Sequence, residues 1–256
     1  MGIDPRIRQR RVAVLRSRGR RRLRRVLTVL GAAALAVAIV AVLHTPLFSA
    51  RAVTVTGVHP ETGTAAIVAA AGLERHPPMI SLNSAAVAGR VEALPFIASA
   101  EVKRHWPDGV QISVTERVPA LQMAGPGASW SVLDGRGRTL QLGSARLPGL
   151  VVFILHTRSG GIPPAPVGRS LPADASAGLL TCRSLPKAFS AQVVSVTVAP
   201  DATISLALNS GIIVLIGTGT DLTAKFEDVA AIIAHGSLHP TSTIDVSVPE
   251  SPTVAN

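Results

Sequence analysis

Residues 94–120 read LPFIASAEVKRHWPDGVQISVTERVPA. Two runs in this stretch, 99–104 and 110–116, have the composition and bounds of strands. In the second, Val110, Ile112 and Val114 fall on one side and Gln111, Ser113 and Thr115 on the other. Between the runs, His105-Trp106-Pro107-Asp108-Gly109 is turn chemistry, and the Asp-Gly pair predicts a tight hairpin with positive φ at the glycine. Towards the N-terminus, Ala52-Val53-Thr54-Val55-Thr56 alternates with period two and stops at Gly57. A helix is predicted over 61–71 with Gly72 as its stop, and Pro77-Pro78 breaks the chain. A second helix, capped by Asn83 or Ser84, runs to Leu94 with Val87, Val91 and Leu94 on one face. The order strand, helix, helix, strand, strand predicts a three-stranded sheet covered on one face by two helices, a module of roughly 70 residues.

Beyond residue 120 the chain predicts a second unit. Strands at 130–133 and 138–142 flank Asp134-Gly135-Arg136-Gly137, and 157–172 is a loop rich in Gly and Pro. A helix at 174–185 precedes strands at 193–198, 204–208 and 212–216. An amphipathic helix follows at 221–235, with Leu222, Phe226, Val229 and Ile233 on one stripe and Gly236 after it. A last strand is predicted at 243–248, ending at Pro249. Ile244, Val246 and Val248 alternate with Asp245 and Ser247, so one face can pack on the helix stripe. Pro249 and Pro252 oppose a regular hairpin, so the outer edge of this strand is expected to be unpaired and open to a partner strand.

The charge is concentrated at one end. Eleven arginines and one acid, Asp4, lie in residues 1–25, which carry the whole formal charge of +10; the remainder holds 14 basic and 14 acidic residues. The basic tail therefore says nothing about the partners of the folded part, and no nucleic-acid partner is expected. Residues 26–43 (VLTVLGAAALAVAIVAVL) contain no charge and no proline, enough for one membrane span. The run is longer than the apolar region of a signal peptide, and Phe48-Ser49-Ala50 has a bulky residue where a cleavage site needs a small one. The arginine tail on its N-terminal side places residues 1–25 in the cytoplasm and the rest outside, a single-pass type II arrangement. The expected division is 1–25 cytoplasmic tail, 26–46 transmembrane helix, 51–119 first module, 120–250 second domain and 251–256 C-terminal tail. The fold class is α+β: a transmembrane helix, a β-α-α-β-β module, and a mixed α/β domain with an antiparallel-rich sheet.

Catalytic patterns are weak. Ser184-Leu185-Pro186-Lys187 matches S-x-x-K, but Pro186 breaks the helix that would bring serine and lysine together, and no K-T-G follows. Gly217-Thr218-Gly219-Thr220-Asp221-Leu222 stands between a strand and a helix but lacks the third glycine of a dinucleotide fingerprint. His235 and His239 are four apart, with Gly236 and Pro240 interrupting any helix, so no metal or other cofactor is expected. Cys182 is the sole cysteine, which rules out an intramolecular disulfide, and it reads as a small buried hydrophobe.

The quoted stretch resembles the POTRA domain of the bacterial cell-division family FtsQ/DivIB. Leu94-Pro95, Ala100, Val102, Arg104, Trp106-Pro107 and Glu116-Arg117-x-Pro119 stand where that family's pattern asks, with Leu121 in place of its usual Ala. Arginine preference and alanine richness suggest a GC-rich bacterial genome, and the resemblance implies an actinobacterial source. The resemblance continues more weakly to about residue 250, including Leu215-Ile216-Gly217 with Lys225 eight residues after the glycine. It implies a non-enzymatic divisome scaffold at the septal cell membrane, an FtsQ-type β domain after the POTRA domain, and protein–protein interaction with FtsB/DivIC-like and FtsL-like coiled-coil membrane proteins. It also implies a link to the septal peptidoglycan synthase (FtsW/FtsI-like), beside the lipid bilayer that holds the anchor. By resemblance, the partner-binding residues are Ile244, Asp245, Val246, Ser247 and Val248, with Lys225. For Trp106 two roles stay open, packing against the helices or contact with another division protein. The other readings are a membrane-anchored cell-wall enzyme or accessory, and a POTRA-type secretion chaperone.

Overall fold

A computed structural model describes residues 5–59, 63–235, 238–249 and 251–255. Residues 1–4, the expected helix start at residue 61, the helix stop Gly236 and the boundary at residue 250 lie outside the described residues. The elements in chain order are α1 (Pro5–Leu43), β1 (Ala52–Thr56), α2 (Thr64–Ala71), α3 (Ser84–Glu92), β2 (Ile97–His105), β3 (Gly109–Glu116), β4 (Pro119–Ala124), β5 (Trp130–Asp134) and β6 (Thr139–Gly143). They continue as β7 (Val151–Thr157), β8 (Gly160–Gly161), α4 (Ser176–Ser184), α5 (Lys187–Ser190), β9 (Val193–Val198), β10 (Ile204–Leu208), β11 (Ile213–Gly217), α6 (Leu222–His235), β12 (Thr243–Asp245) and β13 (Thr253–Ala255). The chain divides into two compact units, residues 1–56, 64–88 and 101–113, and residues 57–63, 89–100 and 114–256.

In the first unit the part Leu23–Leu43 of α1 is long and apolar enough to cross a membrane, and none of it is buried against protein. Its C-terminal end is closed by Thr45, whose hydroxyl donates to Val42 O at 2.6 Å, and by Pro46, which cannot extend the helix. The connection to β1 is partly built into the fold. Ala50 N–H donates to Pro77 O (3.0 Å), Met79 N–H donates to Phe48 O (2.7 Å), and Ser49 and Ala50 are buried. β1 pairs in parallel with β3, and β2 completes the order β1-β3-β2. The predicted alternation along β3 holds, since Val110, Ile112 and Val114 are buried. Asn83 caps α3 by accepting from Ala86 N–H at 3.2 Å. The helix stops at Glu92, short of the expected Leu94, as the approach to Pro95 requires.

The hairpin turn departs from expectation. Gly109 is not at positive φ; the Trp106–Pro107 peptide bond is cis, and Gly109 is the first residue of β3. A glycine is favoured there by proximity, because a Cβ would stand 3.0 Å from His105 O and 3.1 Å from His105 Cβ, and the neighbouring chain would have to give by a few tenths of an ångström.

The second unit is built on a ten-stranded mixed sheet in the order β13-β12-β11-β10-β9-β7-β4-β5-β6, with β8 beside β7. The β4–β7, β7–β9 and β11–β12 pairs are parallel and the other pairs antiparallel. Two central strands, β4 and β7, have no period-two signature: in β4 the consecutive residues Leu121, Gln122 and Met123 are all buried, so both faces are covered, and β7 opens with five apolar residues in a row, Val151-Val152-Phe153-Ile154-Leu155. Within β4 a fully buried Gln122 holds the 147–150 loop: its Nε2 donates to Leu147 O and Leu150 O, and its Oε1 accepts from Leu147 N–H, all at 2.9 Å. Leu121, the departure from the family pattern, enters the core with Phe153, Val196, Leu206 and Phe226. The helix predicted over 174–185 is a short 3₁₀ turn, Ala173–Ala175, leading into α4, and it ends at Ser184.

Candidate functional site

The candidate site lies where α6, β11 and β12 meet. α6 buries Leu222, Phe226 and Val229, as its stripe predicts, and Lys225 with them. Lys225 is 1 % exposed, so it does not offer its side chain to a partner, contrary to its place among the expected contact residues. Its Nζ donates to Ile216 O at 2.9 Å and to Thr218 O at 3.0 Å. The ammonium thus pins the first turns of α6 to the end of β11, straddling Gly217. That glycine has φ +69°, and a Cβ on it would lie 2.8 Å from Ser247 Cβ and 3.2 Å from Ser247 Cα. Residue 247 therefore crosses directly over the end of β11, which only a glycine permits.

β12 is shorter than the six-residue strand predicted, spanning Thr243–Asp245. It pairs in parallel with β11 through Ile213↔Thr243, Val214↔Ile244 and Leu215↔Asp245, and Val246 N–H prolongs the contact to Leu215 O at 2.9 Å. Then Asp245 Oδ1 accepts from Ser247 N–H at 2.8 Å, and this side-chain turn diverts the chain. Ile244 and Val246 are fully buried as expected, but Val248 lies past the diversion and is 59 % exposed, so it does not join their face.

The outer edge of β12 is also not free. β13 pairs with it antiparallel, with Thr243↔Ala255, Ile244↔Val254 and Asp245↔Thr253 in register. Pro249 and Pro252 exclude a tight hairpin, but a seven-residue connection, 246–252, is long enough to return the chain. Part of the expected C-terminal tail is therefore the outermost strand of the sheet. The extended triplet Thr253-Val254-Ala255 was the available signal, too short to stand out.

The residues of the first-module pattern mostly hold backbone. Arg104 Nη1 donates to Met79 O (3.3 Å) and Leu82 O (3.2 Å), tying β2 to the loop before α3. Arg117 Nε donates to Ile97 O at 2.9 Å and its Nη1 makes a 2.8 Å ion pair with Asp134 Oδ2. Asp134 Oδ1 accepts from the N–H groups of Arg136 and Arg138, both at 2.9 Å. Pro119 is the first residue of β4 and lies opposite Asp134, and Glu116 closes β3. Trp106 is half exposed and stacks, tilted, at 6.2 Å on Phe48, so it is not a core residue.

The weak catalytic patterns lack the local structure their chemistry needs. Ser184 ends α4 and Lys187 opens α5, with Pro186 in extended backbone between them. At the Gly217 turn the feature presented to α6 is a pair of carbonyl oxygens taken by Lys225, whereas a phosphate loop needs converging N–H donors. Among the described residues no three His, Cys, Asp or Glu side chains are grouped as a metal ion would need. Cys182 is partly buried, and desolvation pushes its thiol up to about 12 against a smaller opposing effect of a backbone hydrogen bond, so the thiol stays protonated at neutral pH.

The family "POTRA domain, FtsQ-type" matches residues 48–117. Proteins called cell division protein FtsQ match over longer stretches. That of Mycolicibacterium smegmatis is 31 % identical over 221 residues, covering 86 % of this chain and 61 % of the relative. That of Mycobacterium leprae is 29 % identical over 211 residues, covering 82 % and 57 %. That of Streptomyces collinus is 32 % identical over 180 residues, covering 68 % and 66 %. The chain thus spans about three fifths of the length of the first two relatives.

Proposed function

Because the chain belongs to the FtsQ/DivIB family of bacterial cell-division proteins, carrying its type of POTRA domain and an apolar helix near the N-terminus, we propose that it is a non-enzymatic scaffold of the division machinery. Residues 1–25 lie in the cytoplasm, 26–46 span the cell membrane, and the POTRA domain (51–119) and β domain (120–250) stand outside it at the septum. There the β domain binds an FtsB/DivIC-like partner, and through it an FtsL-like one, linking both to septal peptidoglycan synthesis by an FtsW/FtsI-like complex.

The observation that carries this reading is the margin of the large sheet. β12 is held from beneath by buried Ile244 and by Val246 just after it, and beyond it, among the described residues, lies only a three-residue strand, each residue of which is exposed. A sheet that ends so thinly is suited to main-chain recognition of an extended segment. Ile244 to Val248 form the docking segment, and Lys225 acts on it indirectly by fixing β11. Photo-crosslinkers at Thr243 and Val248 in dividing cells are expected to capture the FtsB-like protein. Adducts from equivalent probes on β5 or β6, with none from β12, would refute the assignment. An alkaline phosphatase fusion after Asn256 is expected to be active, and an inactive fusion would overturn the topology.

A further inference from the structure

The outer edge of β12, the surface assigned above to a partner strand, is occupied by the chain itself. Val246 N–H donates to Leu215 O, and Ile213 N–H donates to Ser242 O. The main-chain groups of the even-numbered positions therefore face β11, and those of Thr243 and Asp245 face outward to β13. In the antiparallel register Val254 lies across from Ile244, with Thr253 across from Asp245 and Ala255 across from Thr243. Ile244 is fully buried while Val254 is 43 % exposed, and every residue of β13 is exposed. β13 thus covers hydrogen-bonding groups and adds little apolar burial. A three-residue strand at a sheet margin is held by few interactions and opens at small cost.

We propose that β13 is a displaceable stand-in for the partner's strand, and that a partner docks on β12 by replacing it. This rests on the reading that β12 is the docking strand, and it adds the partner's chemistry and a control on its binding. The incoming segment runs antiparallel to β12. It places a β-branched apolar residue against Ile244, where Val254 now sits, flanked by small or polar residues opposite Thr243 and Asp245. Exchange conserves main-chain hydrogen bonds, so affinity is set by how far the partner's apolar residue and its continuation outdo Val254. While β13 is in place the edge is closed to adventitious strands, which protects it from edge-to-edge aggregation.

The test uses the full chain in detergent micelles, with the extracytoplasmic segment of the FtsB-like protein from the same organism as probe. Ending the chain at Pro252 removes β13 and is expected to tighten binding about tenfold, the gain when the open edge is one tenth populated in the intact chain. In a Cys182→Ala background, Thr243→Cys with Ala255→Cys joins directly opposed positions. Oxidation is expected to abolish binding and reduction to restore it. The proposal is overturned if the shortened chain binds no tighter than the intact one, or if the oxidised chain binds as well as the reduced one. Asp245→Pro in the shortened chain, with its fold verified by circular dichroism, separates the two levels. Binding that survives this change, or a probe that binds none of the chains, removes β12 as the docking strand. Binding lost with Asp245→Pro but not strengthened by shortening refutes displacement alone.

Discussion

Replacing Lys225 by Met separates a buried anchor from a surface contact. The substitution keeps the length of the aliphatic stem and deletes the ammonium, so Ile216 O and Thr218 O lose their donor. Thr218 is exposed and water can reach its carbonyl, whereas Ile216 is buried and its carbonyl is left short of a partner. One orphaned buried acceptor costs about 1–3 kcal/mol. Because only one side of the interaction is replaced, relief of the ammonium's desolvation offsets this in part, and a net loss of about 2 kcal/mol is expected. For a unit of this size that is a fall in Tm of roughly 4–8 °C. The assay is thermal unfolding of the purified chain followed by circular dichroism, run beside binding of the FtsB-like probe. Binding measured well below the transition is expected to change little. An unchanged Tm with lost binding would refute the anchoring role and return Lys225 to the surface contact expected from the sequence.

Arg117→Ala is expected to destabilise the chain by about 2–3 kcal/mol, because Arg117 and Asp134 are 18 % and 8 % exposed and Asp134 is left without its cation; a change under about 0.5 kcal/mol in urea unfolding would show that the pair contributes nothing. Cys182 is expected to resist iodoacetamide at pH 8 until the chain is unfolded. Its thiol is raised from 9.0 to about 12, so between those values the folded state holds a proton that the unfolded state has released, and stability falls as pH rises through that window. Cys182→Ala should remove that slope, and rapid labelling of the folded chain would contradict the raised thiol. Trp106→Ala is expected to cost about 1 kcal/mol or less, since the ring is 52 % exposed and stacks only on Phe48 among the described aromatic rings; a loss in the range of about 3–5 kcal/mol typical of buried aromatics would show otherwise.

Period-two and helical patterns in the sequence were enough to find most elements. The alternation of Val110, Ile112 and Val114, the strands β9 to β11, the stripe of α6 and the apolar length of α1 each depend on which side of one element meets water or lipid, and a local pattern records that directly. The POTRA domain was legible for a further reason, since its residues stand in a recognisable order around Trp106-Pro107 and Glu116-Arg117. Other features depended on neighbours distant in sequence. β4 and β7 bury or pack apolar residues at successive positions and so carry no alternation, and the close approach that favours a glycine at 109 is to His105 across the hairpin. Lys225 turns inward because two carbonyls at the end of β11 wait for it, and Arg117 finds Asp134 on the next hairpin. At the candidate site, the apolar residues Ile244 and Val246 announced which face of β12 is buried. Whether its edge was open depended on a three-residue strand that has no signature of its own and exists only because β12 offers it hydrogen bonds.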